Sequence, residues 1–276
     1  MAHRMPVLTQ FPACFYHPRR ACYATVMSHL HRFFQPDLSP QSGTDLYLTE
    51  DEAHHALSVA RLRDGEQVAL FDGKGTEALG TIFRHGKRQA RVLVEELRRE
   101  APPVTNVILA PAWLHRDKPM EEIIRRGTEL GVSRFAFWRA LRSQRPVSAQ
   151  DKWHRLAVES CKQSGRLYLP SFDFFDDLPS ALNSFDGCVL VADALSASSQ
   201  MALPASARKS CALIIGPEGD FADEERGALR DHTVFPVSLG RQILRTEVAS
   251  VAMATLALSA LGGLGTRLSP SPDTEG

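Results

Sequence analysis

The segment that decides the fold reads Cys211-Ala-Leu-Ile-Ile-Gly-Pro-Glu-Gly-Asp-Phe221. Its first five residues are apolar and predict a buried strand over residues 211–215, while the glycines and the proline that follow predict a tight turn. A helical pattern starts near Ala222, and Asp220 stands where it is expected to cap that helix. A strand that leads through a short turn into a helix is the repeating unit of a parallel α/β sheet.

Strands and helices alternate in the same way on both sides of this segment. The helix over residues 117–131 is well delimited, because Pro119 lies in its first turn and Gly131 stands at its end. The other predicted strands cover residues 104–110, 133–138, 188–192 and 234–239, and the other predicted helices cover residues 148–164 and 247–261. We therefore expect an α/β fold with a mostly parallel sheet whose faces are covered by helices.

A smaller unit with a different pattern precedes the parallel sheet. Between residues 46 and 97, short apolar runs alternate with turn signals such as Asp72-Gly-Lys-Gly75, and one helix over residues 49–61 comes first. Pro102 and Pro103 end this unit, because prolines do not continue a central strand or a helix interior. The predicted organisation is a non-native or disordered extension (residues 1–27), a first domain (28–101), a second domain (104–265) and a disordered tail (266–276).

The composition limits the classes of function. Lysine plus arginine and aspartate plus glutamate both number 32, so the net charge is zero and any nucleic-acid binding must be local. Five widely spaced cysteines without a C-x-x-C pair predict neither a disulfide framework nor a metal site. The longest apolar run, residues 248–264, is interrupted by serine, threonine and glycine and is short for a membrane span. We expect a soluble cytoplasmic protein without a membrane partner.

Three loops are candidates for a binding site, because ligands of parallel sheets bind outside the carboxyl ends of the strands. They are residues 215–221, Leu239-Gly-Arg241 and Ile243-Leu-Arg-Thr-Glu247. Arg245 and Glu247 place two charges at the mouth of an apolar helix, which is costly unless they pair with each other or meet a ligand. Both alternatives stay open at this point. The sequence contains no P-loop and no G-x-G-x-x-G, so phosphate-rich cofactors are poor candidates.

Two of these segments resemble known family signatures. Residues 214–221 and 239–249 are similar, in order and spacing, to the GPEGG and LG-x-x-ILR-x-ETA motifs of the ribosomal RNA small subunit methyltransferase E family, and Asp117-Lys118 and Gln163-Ser-Gly-Arg166 extend the similarity upstream. The resemblance implies an N-terminal PUA-like β-barrel, a C-terminal SPOUT α/β domain with a trefoil knot, and a homodimer. It also implies methylation of N3 of a uridine in 16S ribosomal RNA, with S-adenosylmethionine as the methyl donor.

By the same resemblance, S-adenosylmethionine binds in the three loops. The corresponding residues are Leu213, Ile215, Gly216, Pro217, Glu218, Gly219, Leu239, Gly240, Ile243, Leu244, Arg245, Thr246 and Ala249. Glycine turns allow the backbone to approach adenine and ribose, and apolar neighbours can sandwich the ring. Asp220 and Val248 depart from the family pattern, which has glycine and threonine at these positions.

Two residues are the catalytic candidates. A uridine nitrogen must lose its proton to become a nucleophile, and Arg245 can stabilise the resulting anion. Glu247 can orient the arginine. Glu218 is a candidate general base, although a structural role in the turn is the more natural interpretation.

Seven basic residues are candidate RNA contacts, since arginine's planar fork suits phosphates. They are Arg61, Arg84, Lys87, Arg88, Arg142, Arg145 and Arg166. For residues 84–91, a solvated hairpin turn is an equally good interpretation. Because the net charge is zero, we expect recognition by shape, within an assembled small ribosomal subunit. The alternatives are a methyltransferase acting on ribose or another base, and a non-catalytic RNA-binding assembly factor.

Overall fold

Two sheets organise the chain in the computed structural model, which describes residues 30–38, 43–86, 88–143, 146–148, 150–193 and 210–264. The first sheet contains β1 (His31–Phe34), β2 (Asp45–Tyr47), β3 (Gln67–Phe71), β4 (Thr76–His85) and β5 (Gln89–Arg99) in the order β1-β3-β4-β5-β2. β1 is parallel to β3 and the other neighbours are antiparallel. Alternate residues of these strands, among them Val68, Ile82 and Val92, form the core of this unit.

The helix predicted over residues 49–61 is split into two parts. Helix α1 (Glu50–His54) begins as expected, because the Thr49 hydroxyl accepts the Glu52 N–H at 3.4 Å. One π-helical turn (His55–Val59) follows, in which the Ala60 N–H bonds to the carbonyl of His55 five residues back. Arg61 then ends the helix in the left-handed region, with φ of 55°.

The second sheet is entirely parallel. It contains β6 (Asn106–Pro111), β7 (Arg134–Trp138), β8 (Ser171–Phe175), β9 (Cys188–Ala192), β10 (Ser210–Ile215) and β11 (Val234–Val237) in the order β11-β9-β10-β6-β7-β8. The helices are α2 (Asp117–Leu130), α3 (Asp151–Ser164), α4 (Leu178–Asn183), α5 (Asp223–Asp231) and α6 (Thr246–Ala260). The predicted α/β class and the parallel sheet are confirmed.

The two faces of this sheet are covered by different helices. Ile123 of α2, Trp153 of α3 and Met253 of α6 are buried in one apolar cluster, while Leu182 of α4 and Leu229 of α5 are buried in the other. Successive residues of β10 point to opposite faces, so both faces of the strand are apolar, as its sequence predicts.

The structure contains four elements that the sequence did not predict. β1 and β2 are edge strands of the first sheet, β8 is an edge strand of the second, and α4 has six residues. These three strands have three to five residues and are mostly half-buried or exposed, so their sequences give only a short pattern. β11 ends at Val237, two residues earlier than predicted, and leaves Leu239 and Gly240 in a loop. The trefoil knot stays a prediction, because strand order does not record how the chain threads.

The two units are packed against each other at one junction. Phe71 of β3 shares an apolar cluster with Val158 and Cys161 of α3. A Cβ atom on Gly75 would lie 2.2 Å from the Tyr168 Oη, so only glycine allows this approach. Among the described residues, no helix combines the length and apolar character needed to cross a bilayer.

Candidate functional site

Two of the three candidate loops meet at a hydrogen bond. The Thr246 hydroxyl, at the first position of α6, donates to the carbonyl of Gly216 at 3.0 Å. Thr246 is buried, with 3% of its surface exposed. The loop after β10 and the first turn of α6 are therefore held together, although they lie 30 positions apart in sequence.

The loop after β10 changes from buried to exposed within five residues. Leu213 and Ile215 lie in the core, and the Ile215 carbonyl accepts the Ala112 N–H at 2.9 Å. A Cβ atom on Gly216 would lie 2.9 Å from the ring of Phe221, so this glycine is required by close packing. Pro217 is half-buried, and the residues from Glu218 to Asp220 are exposed and available to a ligand.

The expected helix cap is supplied by another residue. Asp220 has φ of 63°, accepts the Phe221 N–H at 2.8 Å and pairs with Arg226 at 2.5 Å, so its carboxylate does not cap α5. Glu225, 6% exposed, accepts the Ala222 N–H at 2.7 Å through Oε2. The prediction for Asp220 is therefore wrong. A glutamate in the first turn that reaches back to the helix start was the available signal.

The loop between β11 and α6 presents open backbone beside apolar side chains. Gly240 has φ of 119°, and the nearest atom to a Cβ built there is Gln242 Oε1 at 3.9 Å. Leu239 and Leu244 are half-buried against the core, whereas Ile243 is 90% exposed. Ala249, one turn into α6, is buried. This surface has both the room and the apolar character that an adenine ring requires.

Arg245 and Glu247 do not pair with each other within the described part of the chain. Arg245 precedes α6 with an exposed side chain, and its carbonyl accepts the Ala249 N–H at 2.8 Å. Glu247 is half-buried, and its Oε2 is shielded from solvent without a hydrogen-bond partner. A buried carboxylate oxygen without a donor is expensive, so this oxygen is suited to receive a donor from a ligand.

The described residues line two cavities. One of about 400 Å³ lies between α5 and β11 and is lined by Phe221, the last residue of the first candidate loop, together with Arg226, Arg230 and His232. The other, about 360 Å³, lies between the two units beside Arg32 and Lys162 and contains no residue of the candidate loops. In the described ranges, no group of three or more His, Cys, Asp or Glu side chains is arranged for a metal ion.

The candidate RNA contacts differ in availability. Arg61, Arg84, Arg88 and Arg142 are exposed. Lys87 and Arg145 lie outside the described residues. Arg166 is half-buried and donates to the Thr128 carbonyl at 3.0 Å, and burial lowers the pKa of its guanidinium. Part of its donor capacity is therefore used inside the fold.

Comparisons with known proteins match both units. A family model of an RNA methyltransferase domain matches residues 100–258, and a model of an RNA methyltransferase PUA domain matches residues 48–95. The second match confirms the expected PUA-like first unit.

Relatives that match over most of this chain include proteins named ribosomal RNA small subunit methyltransferase E. A ribosomal RNA small subunit methyltransferase E from Mycobacterium bovis is 30% identical over 247 residues, covering 85% of this chain and 92% of that protein. Its namesake from Helicobacter pylori is 31% identical over 222 residues, covering 79% and 91%. A solved Legionella pneumophila structure, named as a methyltransferase in complex with the bound cofactor SAM, has a TM-score of 0.76 at 27% identity, covering 84% of this chain and 98% of that one.

Proposed function

This chain belongs to the ribosomal RNA small subunit methyltransferase E family, and from that premise we propose that it methylates N3 of a uridine in 16S ribosomal RNA. The family expected from the motifs is confirmed, and with it an S-adenosylmethionine-dependent ribosomal RNA methyltransferase activity. The hydrogen bond from Thr246 to Gly216 is the observation that most directly supports the proposed site, because it joins two of the motif loops.

The loop residues fit S-adenosylmethionine. No atom lies within 4 Å of a Cβ built on Gly219, and Gly240 is nearly as open, so the backbone of both turns can approach adenine and ribose. Leu239 and Leu244 offer apolar sides for the ring. The unsatisfied Oε2 of Glu247 suits a positively charged group. When bound, the cofactor supplies a methyl group carried on a sulfonium.

Arg245 is the proposed catalytic cation. Neutral uracil carries a proton at N3, so the nitrogen becomes a good nucleophile only as this proton leaves. The exposed guanidinium of Arg245 stands at the amino end of α6, where the helix dipole is positive. Both features stabilise negative charge that develops on the uracil carbonyl oxygens. The exposed carboxylate of Glu218 is the candidate proton acceptor.

Contacts to RNA phosphates are proposed for the exposed arginines. Arg142 follows β7 at the carboxyl end of the parallel sheet, and Arg61, Arg84 and Arg88 lie on the first unit. Arginine binds phosphate oxygens through two parallel N–H groups, which positions a strand without reading its sequence. The zero net charge supports a folded particle as substrate, because the whole chain exerts no long-range attraction on free RNA. A ribosomal substrate also places the proposed activity in the cytoplasm.

A homodimer is proposed through the exposed side of α6. The helix is apolar around its circumference, and Val248 and Leu256 are 48% and 42% exposed. Ile243, in the loop before the helix, is 90% exposed, and we infer that a second copy covers these exposed apolar side chains. Sedimentation velocity at micromolar concentration tests this, and a monomer throughout would refute it.

The decisive experiment combines the protein with tritiated S-adenosylmethionine and small ribosomal subunits from a strain that lacks the modification. Label in 16S ribosomal RNA, found as N3-methyluridine by nucleoside mass spectrometry, is the expected result. A methylated ribose or another methylated base would support a changed target instead. Subunit binding with neither transfer nor cofactor affinity would point to an assembly factor without catalysis.

A further inference from the structure

The outward face of the first sheet carries a row of three side chains across three strands. Tyr47 of β2 lies opposite Arg91 of β5, and Arg91 lies opposite Phe83 of β4. Their sequence neighbours Ile82 and Val92 point the other way into the core. Tyr47 is 51% exposed, and Phe83 and Arg91 are half-buried. The row therefore forms part of the surface.

The side chains of this row are held in place by one another. The Arg91 guanidinium lies 5.0 Å above the centre of the Phe83 ring, and its Nη1 pairs with Asp45 Oδ1 at 2.5 Å. The Tyr47 ring meets the exposed His85 edge-on at 5.3 Å, with an angle of 79° between the planes. Because these contacts order the rings in advance, a flat ligand would lose little side-chain entropy on stacking here.

Positive charge is present at the hairpin end of this sheet. Arg88, in the hairpin turn, is exposed and forms no ion pair within the described residues. Arg84 is exposed as well, but it alternates with Phe83 and His85 along β4 and therefore lies on the opposite side of the sheet, paired with Ala90. The nearby carboxylates are occupied, since Asp45 pairs with Arg91 and Asp64 accepts the Arg84 backbone N–H at 2.6 Å. This end of the sheet therefore combines aromatic rings with an unpaired cation.

The opposite end of the face has different chemistry. There the Gln67 amide donates to the Thr81 hydroxyl at 2.8 Å, and both side chains also bond to the Glu95 carboxylate. Because these side chains bond to one another and carry a negative charge, they do not attract a polyanion such as RNA. The aromatic surface has a defined boundary one row beyond Tyr47, Arg91 and Phe83.

We propose that Tyr47, Phe83, His85 and Arg91 form a stacking platform for an unpaired base of the RNA substrate. Arg88, in the hairpin turn at the end of this face, holds a flanking phosphate. Aromatic rings on a sheet surface stack unpaired bases, and neighbouring arginines neutralise the backbone, which is the combination that single-stranded RNA requires. This inference rests on the proposed function, because an RNA substrate is its premise.

The test uses the full chain and a single-stranded oligoribonucleotide of about ten nucleotides, within the range that such sites cover. One 2-aminopurine in the oligonucleotide reports stacking by loss of its fluorescence, and anisotropy reports affinity. Tyr47→Leu removes the ring but keeps apolar area, so we expect roughly tenfold weaker binding and recovered fluorescence. Tyr47→Phe keeps the ring and retains both signals. Val104→Ala, at an exposed apolar position elsewhere, is the matched control.

The phosphate contact is tested by salt. Arg88→Gln should lower the slope of log affinity against log salt by about one while fluorescence quenching persists at saturation. If Tyr47→Leu does not fold, His85→Ala, at the exposed hairpin end, takes its place with the same expectation.

The platform and the proposed function fail separately. Wild-type protein that leaves 2-aminopurine fluorescence unchanged, or Tyr47→Leu that binds and quenches like wild type, overturns the platform even if methyl transfer to small subunits is intact. Quenching that depends on Tyr47 supports the platform even if no methyl group is transferred. A surface that binds a protein rather than RNA would leave the 2-aminopurine fluorescence unchanged by the wild-type protein.

Discussion

The carboxylate of Glu225 in α5 binds the loop after β7, since its Oε1 accepts the N–H of Leu141, 84 positions earlier, at 2.7 Å. Its other oxygen, Oε2, accepts a hydrogen bond from the Ala222 N–H at the start of α5. One buried side chain thus connects the loop after β7 with the helix that follows the Gly216 loop.

Glu225→Gln should destabilise the protein, because an amide offers one acceptor oxygen where two N–H donors need one each. We expect a loss of about 1–3 kcal/mol in the free energy of unfolding, measured by urea denaturation. Glu224→Gln, at the exposed neighbouring position, is the control and should change stability little. Equal effects of the two substitutions would mean that Glu225 does not connect the loop after β7 with α5.

Thr246→Val removes the hydroxyl that joins the loop after β10 to α6 and keeps the shape of the side chain. The Gly216 carbonyl loses its partner, so we expect a loss of about 1 kcal/mol in stability and several-fold weaker binding of S-adenosylmethionine by calorimetry. Thr255→Val is a matched control, because the Thr255 hydroxyl bonds to Val251 within the same helix. Wild-type cofactor affinity in Thr246→Val would show that the loops need no such link.

Arg245→Ala should slow methyl transfer by roughly 10²–10³-fold, the usual effect of losing one donor to a developing anion. The melting temperature should stay close to wild type, because the side chain is exposed. Arg155→Ala removes an exposed arginine of α3, outside the candidate loops, and should leave the rate largely unchanged. Transfer at the wild-type rate would exclude Arg245 from catalysis.

Gly75→Ala and Gly86→Ala separate backbone strain from a steric clash. Both glycines have positive φ, 99° and 71°, so both substitutions introduce strain of about 1–2 kcal/mol. Only at Gly75 would the new methyl group collide with Tyr168, whereas nothing lies within 4 Å at Gly86. Thermal unfolding should therefore show a clearly larger loss for Gly75→Ala. A similar loss of stability in both variants would mean that the Tyr168 side chain moves aside at little cost.

The Cys161 thiol should make stability depend on alkaline pH. Burial raises its pKa from 9.0 to about 11, so the native state holds the proton more tightly than the unfolded chain does. This contribution is complete below about pH 9 and is lost as the pH rises through about 11. The stability advantage of wild type over Cys161→Ala should therefore shrink over that range.

Val158→Ala is the control for the thiol, since Val158 belongs to the same apolar cluster and does not titrate. Its deficit in unfolding free energy should be the same at pH 8 and pH 11. A deficit of Cys161→Ala that is equally constant would refute the effect of thiol ionisation.

The sequence by itself determined the elements whose signals are local. The ends of α2 follow from Pro119 and Gly131. The continuous apolar run of β10 predicts a strand that is buried on both faces of the sheet. The sequence also predicted the loops around Gly216 and Arg245. A glycine–proline turn directly follows an apolar strand in the first loop, and charged residues directly precede an apolar helix in the other. The short strands β1, β2 and β8 were missed, since three to five residues offer too few alternations for a clear periodic pattern.

Only the tertiary structure decided which distant groups meet. Nothing local distinguishes Glu225 from Glu224 as the residue that accepts from Leu141, or predicts that Glu247 lacks a donor while Arg245 faces solvent. The row of Tyr47, Arg91 and Phe83 arises from strand register, which places residues of three separate segments side by side. Hydrogen bonds and ring contacts act over a few ångströms, and only the packed chain brings such segments within that distance.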